Sequence, residues 1–132
     1  MVPGARPLPL AVGVDLVEID RIARVLARHP ERFLSRHFTP GERRQCGTHA
    51  PSLAIRWAAK EAAAKALGTG IGPVHWRDLE VVAQASGEPV LRLHGRAAEI
   101  AAQRGLTAWS VSLTHTRTFA SAVVVAAGSP TD

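Results

Sequence analysis

Residues 52–70 read SLAIRWAAKEAAAKALGTG. Alanine, the strongest helix former, fills this stretch and predicts a helix over residues 52–67, with Gly68 as its stop. Small side chains let neighbouring backbone approach closely, so this helix is expected at the centre of the fold. Four charges interrupt it: Arg56, Lys60, Glu61 and Lys65. Glu61 and Lys65 are four apart and share a face; as a plain ion pair they contribute only a few tenths of a kcal/mol. Two features weigh against that plain reading. The helix has little purely solvated face, and it runs directly into the loop Gly68-Thr69-Gly70. A carboxylate flanked by three cations beside such a loop suits a hard divalent cation and phosphate oxygens, although glycine spacing alone serves equally as a helix stop.

Working upstream, residues 11–19 (AVGVDLVEI) read as a strand with Asp15 inside it. A buried carboxylate is costly unless paired or metal-bound; the alternative is an Asp at a strand end. Asp20 is expected to cap a helix over residues 21–28, ended by His29-Pro30, and residues 31–38 read as a short helical turn. Thr39-Pro40-Gly41-Glu42 is a helix start with a capping box, and residues 47–51 break that helix. Downstream, residues 69–73 form a loop. Residues 79–83 and 90–93 read as strands, 95–104 as a helix capped by Gly105, and 108–113 and 119–126 as a last strand pair around residues 114–118. Ser112-Leu113-Thr114-His115-Thr116 gathers hydroxyls and an imidazole, which donate to phosphate and form turns equally well. Runs of strands and helices, without strict alternation, predict an α+β fold with a small, largely antiparallel sheet. A sheet this small is expected to finish its core by oligomerising.

The 132 residues, 46% apolar and 20% charged, suit a single domain. The expected division is a flexible, Pro-rich extension over residues 1–10, a domain over 11–127 and a tail over 128–132. No apolar run approaches the roughly 20 residues that span a bilayer, and the N-terminus has no secretory pattern. One cysteine, Cys46, reads as an idle thiol in a reducing cytoplasm. The net charge of +5 lies between residues 21 and 44, where Arg21, Arg24, Arg28, Arg32, Arg36, Arg43 and Arg44 face only Glu31 and Glu42. Such a stretch suits an acidic partner, whether nucleic acid, anionic membrane or acidic protein, or else a solvated helix face. There is no zinc-spaced Cys/His cluster, nucleophile elbow, P-loop or dinucleotide fingerprint. With no Tyr, three Phe and three Trp, the chain is poorly equipped to stack single-stranded nucleic acid.

Four segments, in order, carry a family resemblance. Gly13 to Ile22 (GVDLVEIDRI), residues 33–42 (FLSRHFTPGE), residues 56–70 (RWAAKEAAAKALGTG) and residues 111–116 (VSLTHT) resemble the motifs of the holo-(acyl-carrier-protein) synthase family, the small class of 4′-phosphopantetheinyl transferases. The resemblance covers residues 11–127. It implies a phosphopantetheinyl transferase-like fold, a homotrimer with sites at subunit interfaces, and transfer of 4′-phosphopantetheine from coenzyme A to a serine of an acidic acyl carrier protein, with release of 3′,5′-ADP. It implies Asp15 and Glu61 as ligands of Mg²⁺, with Lys65 on the phosphates as the third catalytic residue. Arg56, Lys60, Lys65, Gly68, Thr69, Gly70, His115 and Thr116 are implied to hold coenzyme A, and Arg21, Arg24 and Arg28 to dock the carrier. The serine proton goes to Glu61 or to a water it orients, the water being favoured because a metal-bound carboxylate is a weak base. The short single-domain length favours the fatty-acid carrier over polyketide or peptidyl carriers. One departure stands out. Many relatives place a further basic residue for the 3′-phosphate of coenzyme A before the long helix, where this chain has CGTHAPS (46–52), with His49 the one ionisable base and Arg44 slightly earlier. The competing readings are a basic nucleic-acid-binding domain and a degenerate scaffold, the latter opposed by the intact Asp15, Glu61 and Lys65.

Overall fold

The computed structural model describes residues 8–129, so the expected extension over residues 1–7 and the tail from 130 lie outside the described residues. Leu10 already belongs to the first strand, and Pro9 O accepts from Gly128 N, so both ends of the described chain are tied to the sheet. In chain order the elements are β1 Leu10–Glu18, α1 Ile19–Arg28, α2 Pro30–His37, α3 Pro40–Cys46, α4 Ala50–Leu67, β2 Leu79–Ala83, β3 Pro89–Leu93, α5 Gly95–Gln103, β4 Ala108–His115 and β5 Phe119–Ala127. The α+β, antiparallel expectation holds, but the strands split into two sheets: a three-stranded sheet in the order β1-β5-β4 and the hairpin β2-β3. Among the described residues, no helix is long and apolar enough to cross a membrane.

The alanine-rich helix is central, as its composition predicts. Leu53, Ala54, Ala58, Ala59, Ala62 and Leu67 of α4 are fully buried. The sheet side of this contact is equally small: Ala120, Ala122, Val124 and Ala126 of β5 are buried beneath it. Gly13 of β1 crosses α4 so closely that an added Cβ would overlap the Ala62 carbonyl, so only glycine fits there. That approach aligns the carboxylate-bearing strand with the charged end of α4.

Several boundaries differ from expectation for local reasons. Asp20 lies inside α1, not at its cap. Glu18 holds the cap position without a side-chain bond, because β1 passes straight into α1 while Ile19 N donates to Thr118 O (2.9 Å). The helix α4 begins two residues early, where His49 Nδ1 accepts from Ser52 N. β4 runs through Thr114 and His115, and the turn shrinks because Thr116 Oγ1 takes the amides of both Thr118 and Phe119. The Thr39/Glu42 capping box forms as read.

Candidate functional site

On β1, residues alternate between the two sheet faces, and Asp15 shares the helix-facing side with Gly13 and Val17. There it meets α4: Lys65 Nζ donates to Asp15 Oδ1 (3.2 Å) and to Val14 O (2.9 Å). Glu61, one turn earlier on the same helix face, lies near enough to feel Asp15. Its carboxyl is pushed above the ordinary range by burial and then by the Asp15 charge, while Lys65 and Arg21 pull it down. Asp15, Glu61, Lys65 and Arg21 therefore form one charge cluster where β1, α1 and α4 meet. Two carboxylates brought this close together, one of them raised in proton affinity by burial and by its neighbour, suit a divalent cation. Among the described residues no third Asp, Glu, His or Cys joins them. A cation there would take the rest of its shell from a ligand's phosphates and from water, as Mg²⁺ commonly does.

A second region lies on the other flank of α4. A cleft of about 480 Å³ beside the β4 edge is walled by Ile55, Val81, Val111 and Leu113, with Arg56 as the charged residue in its lining. The Arg56 guanidinium donates from Nε to Val81 O (3.0 Å) and from Nη2 to Gln45 Oε1 (3.0 Å). His115 stands at the far end of β4, paired with Ala120 of β5, which pairs in turn with Val17 of β1. The structure thus brings Asp15, Glu61 and Lys65 together. It sets Arg56 in the cleft, and it leaves His115 and Thr116 two strands, or about 10 Å, across the sheet from β1. His115 Nδ1 faces Thr116 O, and the Thr116 hydroxyl is occupied in its turn.

Lys60 requires a correction. It is fully buried, with its ammonium donating to Glu42 Oε1 (2.7 Å), Trp76 O (3.0 Å) and Leu79 O (2.8 Å). All three protons are committed, so none is left for a phosphate. Burial pushes this ammonium down, and Glu42 pulls it back. The spacing carried a signal for this: Lys60 is seven residues from both Leu53 and Leu67, the two fully buried leucines of α4. The loop 68–70 serves as the helix stop that its glycines also allowed. The amides of Gly68, Thr69 and Gly70 turn back to the carbonyls of Lys65 and Ala64, so they close the helix and are not free donors. What the loop offers is space, since a Cβ at Gly70 would meet nothing within 4 Å.

Arg21, Arg24 and Arg28 are all exposed on α1, with Ile22 and Leu26 turned into the core. Arg24 pairs with Asp20 at 3.5 Å, a surface contact of small energetic weight. Arg21 is near enough to act on Glu61, so this basic face borders the carboxylate cluster. Cys46 is buried and its thiol is raised by that burial, in keeping with an idle group. Sequence reasoning missed Glu42 as the partner of Lys60 and Gln45 as the partner of Arg56; for Gln45 the sequence carries no signal.

A family model described as the 4′-phosphopantetheinyl transferase superfamily matches residues 11–124. A holo-[acyl-carrier-protein] synthase of Herpetosiphon aurantiacus is 48% identical over 126 residues, covering 90% of this chain and 99% of that protein. Among solved structures, the Helicobacter pylori holo-[acyl-carrier-protein] synthase in complex with coenzyme A superposes with a TM-score of 0.80 at 33% identity, over 87% of this chain and 98% of that one. The Bacillus anthracis synthase in complex with CoA (3′,5′-ADP) gives a TM-score of 0.76 at 31% identity, over 93% and 100% respectively.

Proposed function

The chain belongs to the 4′-phosphopantetheinyl transferase superfamily and is an enzyme of the holo-[acyl-carrier-protein] synthase kind, and from that premise we propose the reaction in detail. The enzyme transfers 4′-phosphopantetheine from coenzyme A to a serine of apo-acyl carrier protein with Mg²⁺ and releases 3′,5′-ADP. The fatty-acid carrier is the preferred acceptor, and the cytoplasm, a reducing compartment that suits a lone thiol, is the setting. The observation that carries this reading is the cluster of Asp15, Glu61 and Lys65, bordered by Arg21.

In the proposed reaction, the serine Oγ attacks the phosphorus that bears the pantetheine arm. A new P–O bond forms, the bond from that phosphorus to the bridging pyrophosphate oxygen breaks, and the nucleotide leaves with that oxygen. Asp15 and Glu61 hold Mg²⁺, which when bound draws charge from the pyrophosphate oxygens. Lys65, already beside Asp15, neutralises charge building on the leaving group, the main contribution a protein makes in phosphoryl transfer. The serine proton passes to a water oriented by Glu61. Arg56 in its cleft, with His115, holds the coenzyme A nucleotide, and Gly70 gives it room. The exposed Arg21, Arg24 and Arg28 receive the acidic carrier.

A homotrimer is part of this proposal. Leu10, Val12, Val14 and Leu16, on the face of β1 away from α4, are 56–71% exposed, and Val123 and Val125 of β5 continue the apolar surface. A soluble chain rarely leaves such a face uncovered.

Intact-protein mass spectrometry of an apo carrier incubated with this chain, coenzyme A and Mg²⁺ tests the reaction. A mass gain of one phosphopantetheine group, lost with chelator and with Glu61→Ala, is expected. No gain on fatty-acid, polyketide or peptidyl carriers would overturn the reading.

A further inference from the structure

Gln45 makes three hydrogen bonds with one amide group. Its Oε1 accepts from Ala83 N (2.9 Å) and from Arg56 Nη2 (3.0 Å), while its Nε2 donates to Ala83 O (2.9 Å). A flipped amide would set Nε2 against two donors and Oε1 against a carbonyl, so the β2 backbone dictates which way this side chain points. Gln45 is in effect a bracket fixed to β2 that holds the guanidinium at one corner, and Val81 O holds it at another (3.0 Å). The remaining nitrogen, Nη1, has only a long contact of 3.5 Å with Ser52 O.

The acceptors in this bracket are all neutral. Among the described residues, no carboxylate forms a salt bridge with Arg56. The guanidinium that lines the cleft is therefore held in place with its charge uncompensated. A bracket built from a carboxylate would have oriented it equally well while cancelling that charge. An immobilised, uncompensated cation in the lining of this cleft suits a phosphate group, and it suits one better for being ordered before the ligand arrives.

We propose that Gln45 is a positioning residue for substrate binding, which holds Arg56 as a charged seat for a phosphate of coenzyme A. The proposal rests on coenzyme A being the donor substrate. It also bears on the missing basic residue in the stretch 46–52: His49 commits its Nδ1 at the start of α4, where it meets Ser52 Oγ at 2.7 Å, and Arg56 is the charged residue that lines the cleft.

Steady-state kinetics of the full chain test this, with Gln45→Ala, Gln45→Glu, Arg56→Ala and the double variant Gln45→Ala/Arg56→Ala. Gln45→Ala is expected to raise KM for coenzyme A roughly 5- to 20-fold, with kcat within about twofold and KM for the carrier unchanged. Gln45→Glu keeps an acceptor for Arg56 but cancels its charge, so it is expected to raise KM at least as much. In the Arg56→Ala background, Gln45→Ala is expected to change KM no further. An unchanged KM in Gln45→Ala, additive effects in the double variant, or a wild-type KM in Gln45→Glu would each overturn the proposal. Gln45→Met, which keeps the stem but offers no acceptor, supplies the same reading should Gln45→Ala not fold. A wild-type chain that neither binds coenzyme A nor modifies any carrier would sink the parent assignment instead.

Discussion

Glu61 holds its proton more tightly in the folded chain than an ordinary glutamate does, because of burial first and Asp15 second. The sign follows from proton counting. In the window above the usual glutamate value, the native state binds more protons than the unfolded chain, so folding stability falls as pH rises through that window, and the loss persists at neutral pH. Glu61→Gln is therefore expected to raise Tm at pH 7 while lowering kcat by about 100-fold or more. Mg²⁺ is expected to raise the Tm of the wild type but not of the variant. A Tm that falls in Glu61→Gln at pH 7 would show Glu61 acting as the partner of Lys65 and Arg21, not as a strained ligand. Lys60 presents the opposite case, a charge retained for structure. Lys60→Met leaves Glu42 buried without its cation and strips the donor from Trp76 O and Leu79 O. The expected cost is about 3–5 kcal/mol, read by urea unfolding, with partial recovery when Glu42→Gln is added. A loss below about 1 kcal/mol would mean that the pair is dispensable.

The hairpin β2-β3 has two edges, and side chains close the one on β2. Lys60 donates to Leu79 O, Val81 N donates to Glu42, Arg56 donates to Val81 O, and Gln45 binds both polar groups of Ala83. Helices α3 and α4 thus stand in for a neighbouring strand and satisfy an edge that would otherwise invite pairing. This arrangement also shows where sequence reading stops. The helix α4 was legible because alanine density and Gly68 are local signals, and the Thr39/Glu42 capping box was legible because it spans only four residues. The pairings of Lys60 with Glu42 and of Gln45 with Ala83 join residues 18 and 38 positions apart, and no local pattern encodes them. Asp15, Glu61 and Lys65 were legible as candidates from their motifs, but their meeting depends on Gly13 crossing Ala62. The aromatic residues, weighed only as a stacking platform, turn out to build a cluster in which Trp57 and Trp76 lie 4.1 Å apart with His37 against both rings. Burial pushes the His37 imidazole below its ordinary value, ahead of the opposing bond to Phe33 O. The native state then holds His37 neutral, the unfolded chain takes the proton first as pH falls below about 6.5, and stability falls with it. His37→Phe is expected to flatten the decline of Tm between about pH 6.5 and 5 relative to wild type. Parallel declines in the two proteins would remove His37 as a source of acid sensitivity.

At the scale of the molecule, the two halves of the site lie on different flanks of α4. Arg56 and Glu61 are five residues apart, about 7.5 Å along the axis and well over a quarter-turn around it. β5 separates the β4 end that carries His115 from the β1 row that carries Asp15. One chain thus keeps the carboxylate cluster apart from the Arg56 cleft, whose lining includes none of Asp15, Glu61 and Lys65. In the proposed homotrimer a second copy covers the apolar face of β1 and β5, and assembly and catalysis are expected to fail together. Val14 tests this directly. Its side chain is 56% exposed and faces away from α4, and it pairs with Val123 near the middle of the apolar face. Val14→Asp therefore leaves the core of the single chain untouched but sets a carboxylate into the proposed interface, where an unpaired charge costs several kcal/mol. Sedimentation analysis is expected to give three times the 14.0 kDa chain mass for wild type and a single chain mass for the variant. Transferase activity should fall together with the assembly, while circular dichroism remains that of a folded chain. A Val14→Asp protein that stays trimeric, or a folded monomer with wild-type kcat/KM, would separate the apolar face from catalysis and return the whole site to one chain.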